Sequence, residues 1–124
     1  MAASFEQIGR AFVEHYYKVF DSDRSQLAAL YRDDSMLTFE GKQHQGAANI
    51  IKHLTEGLSF QTVAHTIGSI DCQPSTANGV LILVTGNIVA DGNAEMPLNF
   101  SQTFHLSNSG NQWFVTNDIF RLVF

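Results

Sequence analysis

Cysteine is nearly absent from this chain of 124 residues: Cys72 stands alone, so no intramolecular disulfide can form and the sequence suits a reducing compartment. Cys72 also has no basic sequence neighbour to stabilise a thiolate, which predicts a buried, inert thiol. Basic residues are scarce too. Seven Lys and Arg are scattered among twelve Asp and Glu, for a net charge of −5. They make no stripe able to displace counterions from phosphates, so nucleic acid is not expected as a partner. Any electrostatic partner is expected to be basic. Long apolar runs are missing: the longest, Val80 to Val84, is far too short to span a bilayer, and no membrane partner is expected. The start, Met1-Ala2-Ala3-Ser4, has neither a basic region followed by an apolar stretch nor a myristoylation glycine. The end, Arg121-Leu122-Val123-Phe124, is no prenylation box. Cytoplasm and nucleus are the compartments expected, and Asn99-Phe100-Ser101 then matches a glycosylation sequon by accident.

The common catalytic signatures are missing as well. There is no Gly-x-Ser-x-Gly elbow, no Walker loop and no dinucleotide glycine fingerprint. His15, His44, His53, His65 and His105 show no pairing at helical or strand spacing. Neither a metal nor a cofactor is expected. His65, between apolar strand positions, reads as a hydrogen-bonded structural histidine.

What is present describes one globular domain spanning residues 1–124, with 44% hydrophobic and 15% charged residues. Ten phenylalanines are enough for a thick core or a lined pocket. Ser4-Phe5-Glu6-Gln7 is a capping box, and Phe5, Ile8, Phe12, Tyr16, Val19 and Phe20 then recur on one helical face as far as Asp21-Ser22-Asp23. A short second helix is expected through Leu27, Leu30 and Tyr31. A strand follows from Met36 to Glu40, turning at Gly41 into Gln43-His44-Gln45. A third helix is expected from Ala47 to Glu56. From Phe60 the period changes to two. Val63, His65 and Ile67 share one face, Ile70 and Cys72 the other, with Gly68 at the flip, which predicts a bulge or bend. Pro74 to Gly79 is a turn. Val80 to Ala90 is a central strand, Asp91-Gly92-Asn93 turns again, and strands through Phe100–Leu106 and Trp113–Leu122 flank Ser109-Gly110-Asn111. Helices first and hairpins after give an α+β fold: a strongly bent, largely antiparallel sheet with about three helices, forming a cone around an apolar cavity.

Such a cavity raises two readings from different classes. The first is a small-molecule-binding or acid–base enzyme of the ketosteroid isomerase kind, with Tyr16 or Tyr17 and Asp118 approaching the cavity. Against it, Tyr16 belongs to the core stripe, Asp118 is explained by a hydrogen bond in an edge region, and nothing brings two carboxylates together. The second is a binding module. Glu40 and Asp91 each end a strand beside a glycine; they are either solvated hairpin caps or an acidic rim, and Phe39 beside Glu40 gives a charge an apolar wall.

Several runs in order along the chain decide between these. Phe5-Glu6-Gln7-Ile8-Gly9, His15-Tyr16-Tyr17, Phe20-Asp21-Ser22-Asp23-Arg24, Leu37-Thr38-Phe39-Glu40-Gly41, Gln45-Gly46, Phe60-Gln61, Gln73-Pro74 and Asn117-Asp118-Ile119-Phe120-Arg121-Leu122 together resemble the nuclear transport factor 2 family. These are homodimeric carriers of the GTPase Ran. The resemblance implies no catalysis. It implies a cavity with an acidic rim that receives an aromatic and basic segment of Ran in its GDP form. By position, Glu40 and Asp91 would be the rim, and Phe39, Leu58, Ile119 and Phe120 would line or border the cavity. Asn93 stands where a second acidic residue is expected, with Glu95 as its substitute. The resemblance also implies binding of nucleoporin Phe-Gly repeats through Phe5, whose other role is packing the first helical turn, and enrichment at the nuclear envelope. His65 and Ile119 are the candidates for the dimer interface.

Overall fold

Helix α1 (Phe5–Ser22) starts where its capping box predicts. In the computed structural model, which describes residues 4–123, the Ser4 hydroxyl accepts from the Gln7 N–H at 3.2 Å and the Gln7 side chain accepts from the Ser4 N–H at 3.0 Å. Residues 1–3 and 124, read above for targeting signals, lie outside the described residues. The amphipathic stripe of α1 buries Phe12, Val13, Tyr16, Tyr17 and Phe20; each large apolar side chain so buried contributes about 1.5–3 kcal/mol. The helix stops at Asp23, whose backbone turns extended while its carboxylate caps the next segment through the Ser25 N–H.

That next segment is a tight 3₁₀ helix, Arg24–Leu30, and Tyr31, expected within it, begins strand β1 (Tyr31–Phe39). The strand starts earlier than its apolar pattern because exposed Asp33 and Asp34 interrupt the alternation, with a register shift between Tyr31 and Met36. Buried Ser35 bridges the irregularity, accepting from the Arg32 N–H at 2.8 Å and donating to the Val115 carbonyl at 2.5 Å. Strand β2 (Lys42–Gln45), α2 (Ala47–Glu56), β3 (Val63–Pro74), a single turn at Thr76–Asn78, β4 (Val80–Ala90), β5 (Leu98–Ser109) and β6 (Gln112–Val123) follow.

The strands form one curved sheet in the order β2-β1-β6-β5-β4-β3. All neighbours are antiparallel except β1 and β6, which run parallel. Asp118, expected in an edge region, therefore lies on an interior strand. The bend predicted beside Gly68 is present as a register shift between Ile67 and Ser69. Gly86 faces it across the ladder, and a Cβ there would overlap the Thr66 carbonyl, so the two strands approach at the bend only because residue 86 has no side chain. The helices cover the inner face, where Phe100, Phe104, Ile82, Ile88 and Val115 complete the core. Cys72 is buried, and burial raises its thiol pKa. No helix among the described residues is long and apolar enough to cross a membrane.

Candidate functional site

The cone has a mouth and a floor. The mouth is a cavity of about 290 Å³ between the β1–β2 turn, the loop after α2 and the ends of β5 and β6. Phe39, Glu40, Leu58 and Phe120, four of the residues the resemblance implies, converge on it, joined by Phe60, Ile88, Leu98 and Leu122. Phe39 and Phe120 stack with centroids 4.6 Å apart and planes 8° from parallel, because parallel pairing sets them opposite each other in register. His53 packs edge-on against Phe39 at 4.9 Å and stacks on His44 at 4.2 Å. That contact joins β2 to α2 and was invisible at sequence spacing. Burial comes first, and the neighbouring His44 and Lys42 next, in holding the His53 imidazole below its usual pKa. No group of three His, Cys, Asp or Glu fit to hold a metal occurs among the described residues.

Glu40 sits at the lip. Its backbone is in the left-handed region, φ 52°, directly before Gly41 at φ 86°. A non-glycine residue there costs on the order of 1 kcal/mol, so the position is held against a local preference. The Glu40 N–H donates to the Phe120 carbonyl at 3.1 Å, and its carboxylate accepts from the Leu122 N–H. One oxygen is thereby anchored to β6, at the edge of an open apolar cavity.

Asp91 has the same local conformation, φ 51° before Gly92 at φ 74°, but another use for its carboxylate. Its Oδ1 accepts from the Gln61 and Thr62 N–H groups, both at 2.9 Å. The bonds from Thr62 and then Gln61 hold its pKa below the usual carboxylate value. Asp91 and Asn93 lie in the β4–β5 turn and do not line the mouth; Asp91 instead fixes the backbone that carries Phe60. Lys42 does line the mouth, a basic residue that the sequence reading did not place there.

Two expectations are corrected by strand parity. Ile119, expected to border the cavity, is on the outer sheet face at 51% exposure, because its neighbours Asp118 and Phe120 point inward. His65, expected at a subunit interface, points into the core of its own chain: its side chain is 4% exposed, bonded to Asp21 at 2.6 Å and packed against Tyr17, Phe20 and Phe100. His65 and Ile119 thus lie on opposite faces. The outer face carries Ile119 in a row with Thr103 and Leu83, the latter 41% exposed, as is Leu81 beside it.

The floor is a closed polar network. Asp118, 1% exposed, accepts from the Tyr31 hydroxyl at 2.7 Å, the Tyr16 hydroxyl at 3.4 Å and the Gln102 amide at 2.8 Å. Tyr17 donates to Gln102 at 2.6 Å. Desolvation pushes the Asp118 carboxyl up to about 6, against the pull of its three donors, and burial drives the Tyr16, Tyr17 and Tyr31 hydroxyls upward too. Tyr16 and Asp118 do meet, with Tyr31 and Gln102 as partners that the sequence reading had not named. The free space beside them, bounded by Phe20, Leu37 and Phe60, is about 10 Å³, at the limit for a single water.

Phe5, 37% exposed, borders a separate groove of about 480 Å³ with Ile8, Pro74, Val80 and Trp113.

With this geometry in hand, comparison with known proteins is specific. The Nuclear transport factor 2 (NTF2) domain profile matches residues 8–122. Nuclear transport factor 2 of Neurospora crassa is 52% identical over 124 residues, covering 99% of this chain and 98% of that protein. That of Saccharomyces cerevisiae is 48% identical over 123 residues, covering 98% and 97%. The structure of nuclear transport factor 2 from Cryptosporidium parvum superposes with a TM-score of 0.90 at 47% identity, covering 96% of this chain and 94% of that one. The chain belongs to the nuclear transport factor 2 family.

Proposed function

We propose that this protein acts in nucleocytoplasmic transport as a non-enzymatic carrier: it binds Ran-GDP at the mouth of the cone and nucleoporin Phe-Gly repeats at the groove beside Phe5, and so imports Ran into the nucleus. The observation that carries this reading is the mouth itself. A stacked Phe39–Phe120 wall opens beside a Glu40 carboxylate anchored at the lip. An aromatic side chain flanked by basic groups is the ligand that this pairing suits: the ring enters the apolar space and the cation meets the lip. Phe5 and the groove beneath it offer a separate apolar contact, so both partners can be held at once. Weak, repeated Phe contacts suit passage through a pore without trapping. Movement between cytoplasm and nucleus, with enrichment at the nuclear envelope, follows from those two partners.

The acid–base alternative has its Tyr and Asp in contact, yet no room for a substrate between them, since the adjoining space holds at most one water. The floor is better read as a satisfied core network.

The outer sheet face supports a homodimer. Leu81, Leu83 and Ile119 form an exposed apolar patch on it, and a second copy would cover it by the same surface. Replacing Ile119 with Glu would place a charge in that contact, and light scattering should then give a monomer mass at low micromolar concentration; a persistent dimer excludes this face.

Calorimetry with Ran loaded with GDP or GTP tests the central claim. Binding of the GDP form with much weaker binding of the GTP form is expected; equal binding of both, or of neither, overturns it. Phe5→Ala should weaken Phe-Gly repeat binding by roughly 1–3 kcal/mol and leave Ran-GDP binding unchanged. An unaltered repeat titration would reduce Phe5 to a packing residue.

A further inference from the structure

Arg24 has the wrong charge for a mouth that receives a basic partner, yet it stands directly behind Phe60 of that mouth's wall. It opens the 3₁₀ helix directly after the Asp23 cap. Its guanidinium lies 5.5 Å from the Phe20 ring centroid and 5.8 Å from that of Phe60, and its Nη2 donates to the Gln61 carbonyl at 2.9 Å. From the other side, Asp91 Oδ1 takes the Gln61 and Thr62 N–H groups. Gln61 is thus gripped at both its carbonyl and its amide. The loop so held has no ladder of its own between α2 and β3, and it carries Leu58 and Phe60. Phe60 borders both the mouth and the narrow space below it.

We infer that Arg24 is a positioning residue for partner binding: together with Asp91 it fixes residues 60–62, so that Phe60 stands as part of the outer wall of the mouth before a partner arrives. The inference rests on the proposed carrier reading and assigns Arg24 and Asp91 a task in it besides charge. Ordering a loop in advance spares the complex that entropic cost. The sign of the effect separates this role from simple electrostatics. By Coulomb's law alone, deleting Arg24 makes the mouth more acidic and should strengthen binding of a basic ligand. The clamp predicts weakening.

The test uses the full chain and Ran-GDP as the probe. Arg24→Ala should weaken binding about tenfold, and Arg24→Lys, which keeps a cation near Phe60 and a donor for Gln61, should recover most of the loss. Amide exchange at Gln61 and Thr62 should accelerate in the Ala variant and stay slow in the Lys variant. In a Phe60→Ala background, Arg24→Ala should have little further effect, since the ring it positions is gone. Equal or tighter binding by Arg24→Ala, or an undiminished loss in the Phe60→Ala background, overturns the inference while the carrier reading stands. A wild-type protein that does not bind Ran-GDP brings down the carrier reading itself, and this inference with it.

Discussion

The mouth and the floor of the cone each hold a carboxylate beside aromatic rings, and the fold treats the two in opposite ways. At the mouth, Glu40 is half-buried, fastened to the β6 backbone and bordered by a cavity of about 290 Å³. At the floor, Asp118 is enclosed by Tyr16, Tyr31 and Gln102 with about 10 Å³ left beside it. An acid with space in front of it recruits a cation from outside. An acid stripped of water has its pKa pushed upward even as internal donors pull the other way. In the proposed reading one serves recognition, while the other belongs to the core.

The strongest way to break this contrast is to reverse the charge at the mouth. Glu40→Lys should lower Ran-GDP affinity more than a hundredfold, a like-charge contact there costing several kcal/mol. The lip position leaves a lysine free to reach solvent, so the fold and the proposed dimer should survive. Undiminished calorimetric binding by a dimeric variant would show that Glu40 plays no part.

Asp118 should answer to pH instead of to partners. Its folded pKa is raised from 3.8 to about 6, so its stabilising contribution is complete below about pH 4 and is lost as pH rises through 6. A difference of this size corresponds to about 3 kcal/mol between the two limits. Urea midpoints of wild type should fall across that window relative to Asp118→Asn, in which this dependence is absent, while Ran-GDP binding at pH 7 should be unchanged. Parallel pH profiles for the two proteins would mean that Asp118 ionises freely.

The smallest expected effect is at the turn that presents Glu40. Gly41→Ala places a side chain at φ 86°, with its Cβ 3.4 Å from the Arg121 guanidinium, and should cost about 1 kcal/mol of stability. That is a melting-point fall of a few degrees in a scan. An unchanged melting point would mean that the lip relaxes and that the turn does not hold Glu40 rigidly.

Much of this was legible in the chain itself. α1 announced its start through Ser4 and Gln7 and its buried face through a regular apolar spacing. The bend announced itself by a parity flip beside Gly68. Phe39, Glu40, Leu58 and Phe120 could be brought to one cavity by resemblance, and Leu122 could have been added by alternation from Phe120. Parity within a strand says nothing of parity between strands, however. Without the register, and with a bulge at residue 68 shifting one strand against the next, His65 and Ile119 could not be assigned to faces. The floor was hidden for a related reason. Tyr31 lies ahead of two exposed aspartates that disguise the start of β1, and its partner Asp118 is 87 residues away. Asp91 looked like Glu40 because both precede a glycine in a tight turn. Only the tertiary contact with Gln61 and Thr62 tells them apart.

The parallel pairing of β1 with β6 also dictates an order of events. Glu40 and the Leu122 N–H that fastens it are separated by 82 positions, and Phe39 finds its stacking partner Phe120 through that same pairing. On a ribosome, β1 emerges well before the strand that gives it a neighbour on that side, and the intervening hairpins can form first from local contacts. Closure of so long a loop is slow compared with hairpin formation. The nascent chain therefore leaves Phe39 without its stacking partner until β6 has been made, and the lip proposed to meet the partner is among the last parts of the molecule to be assembled.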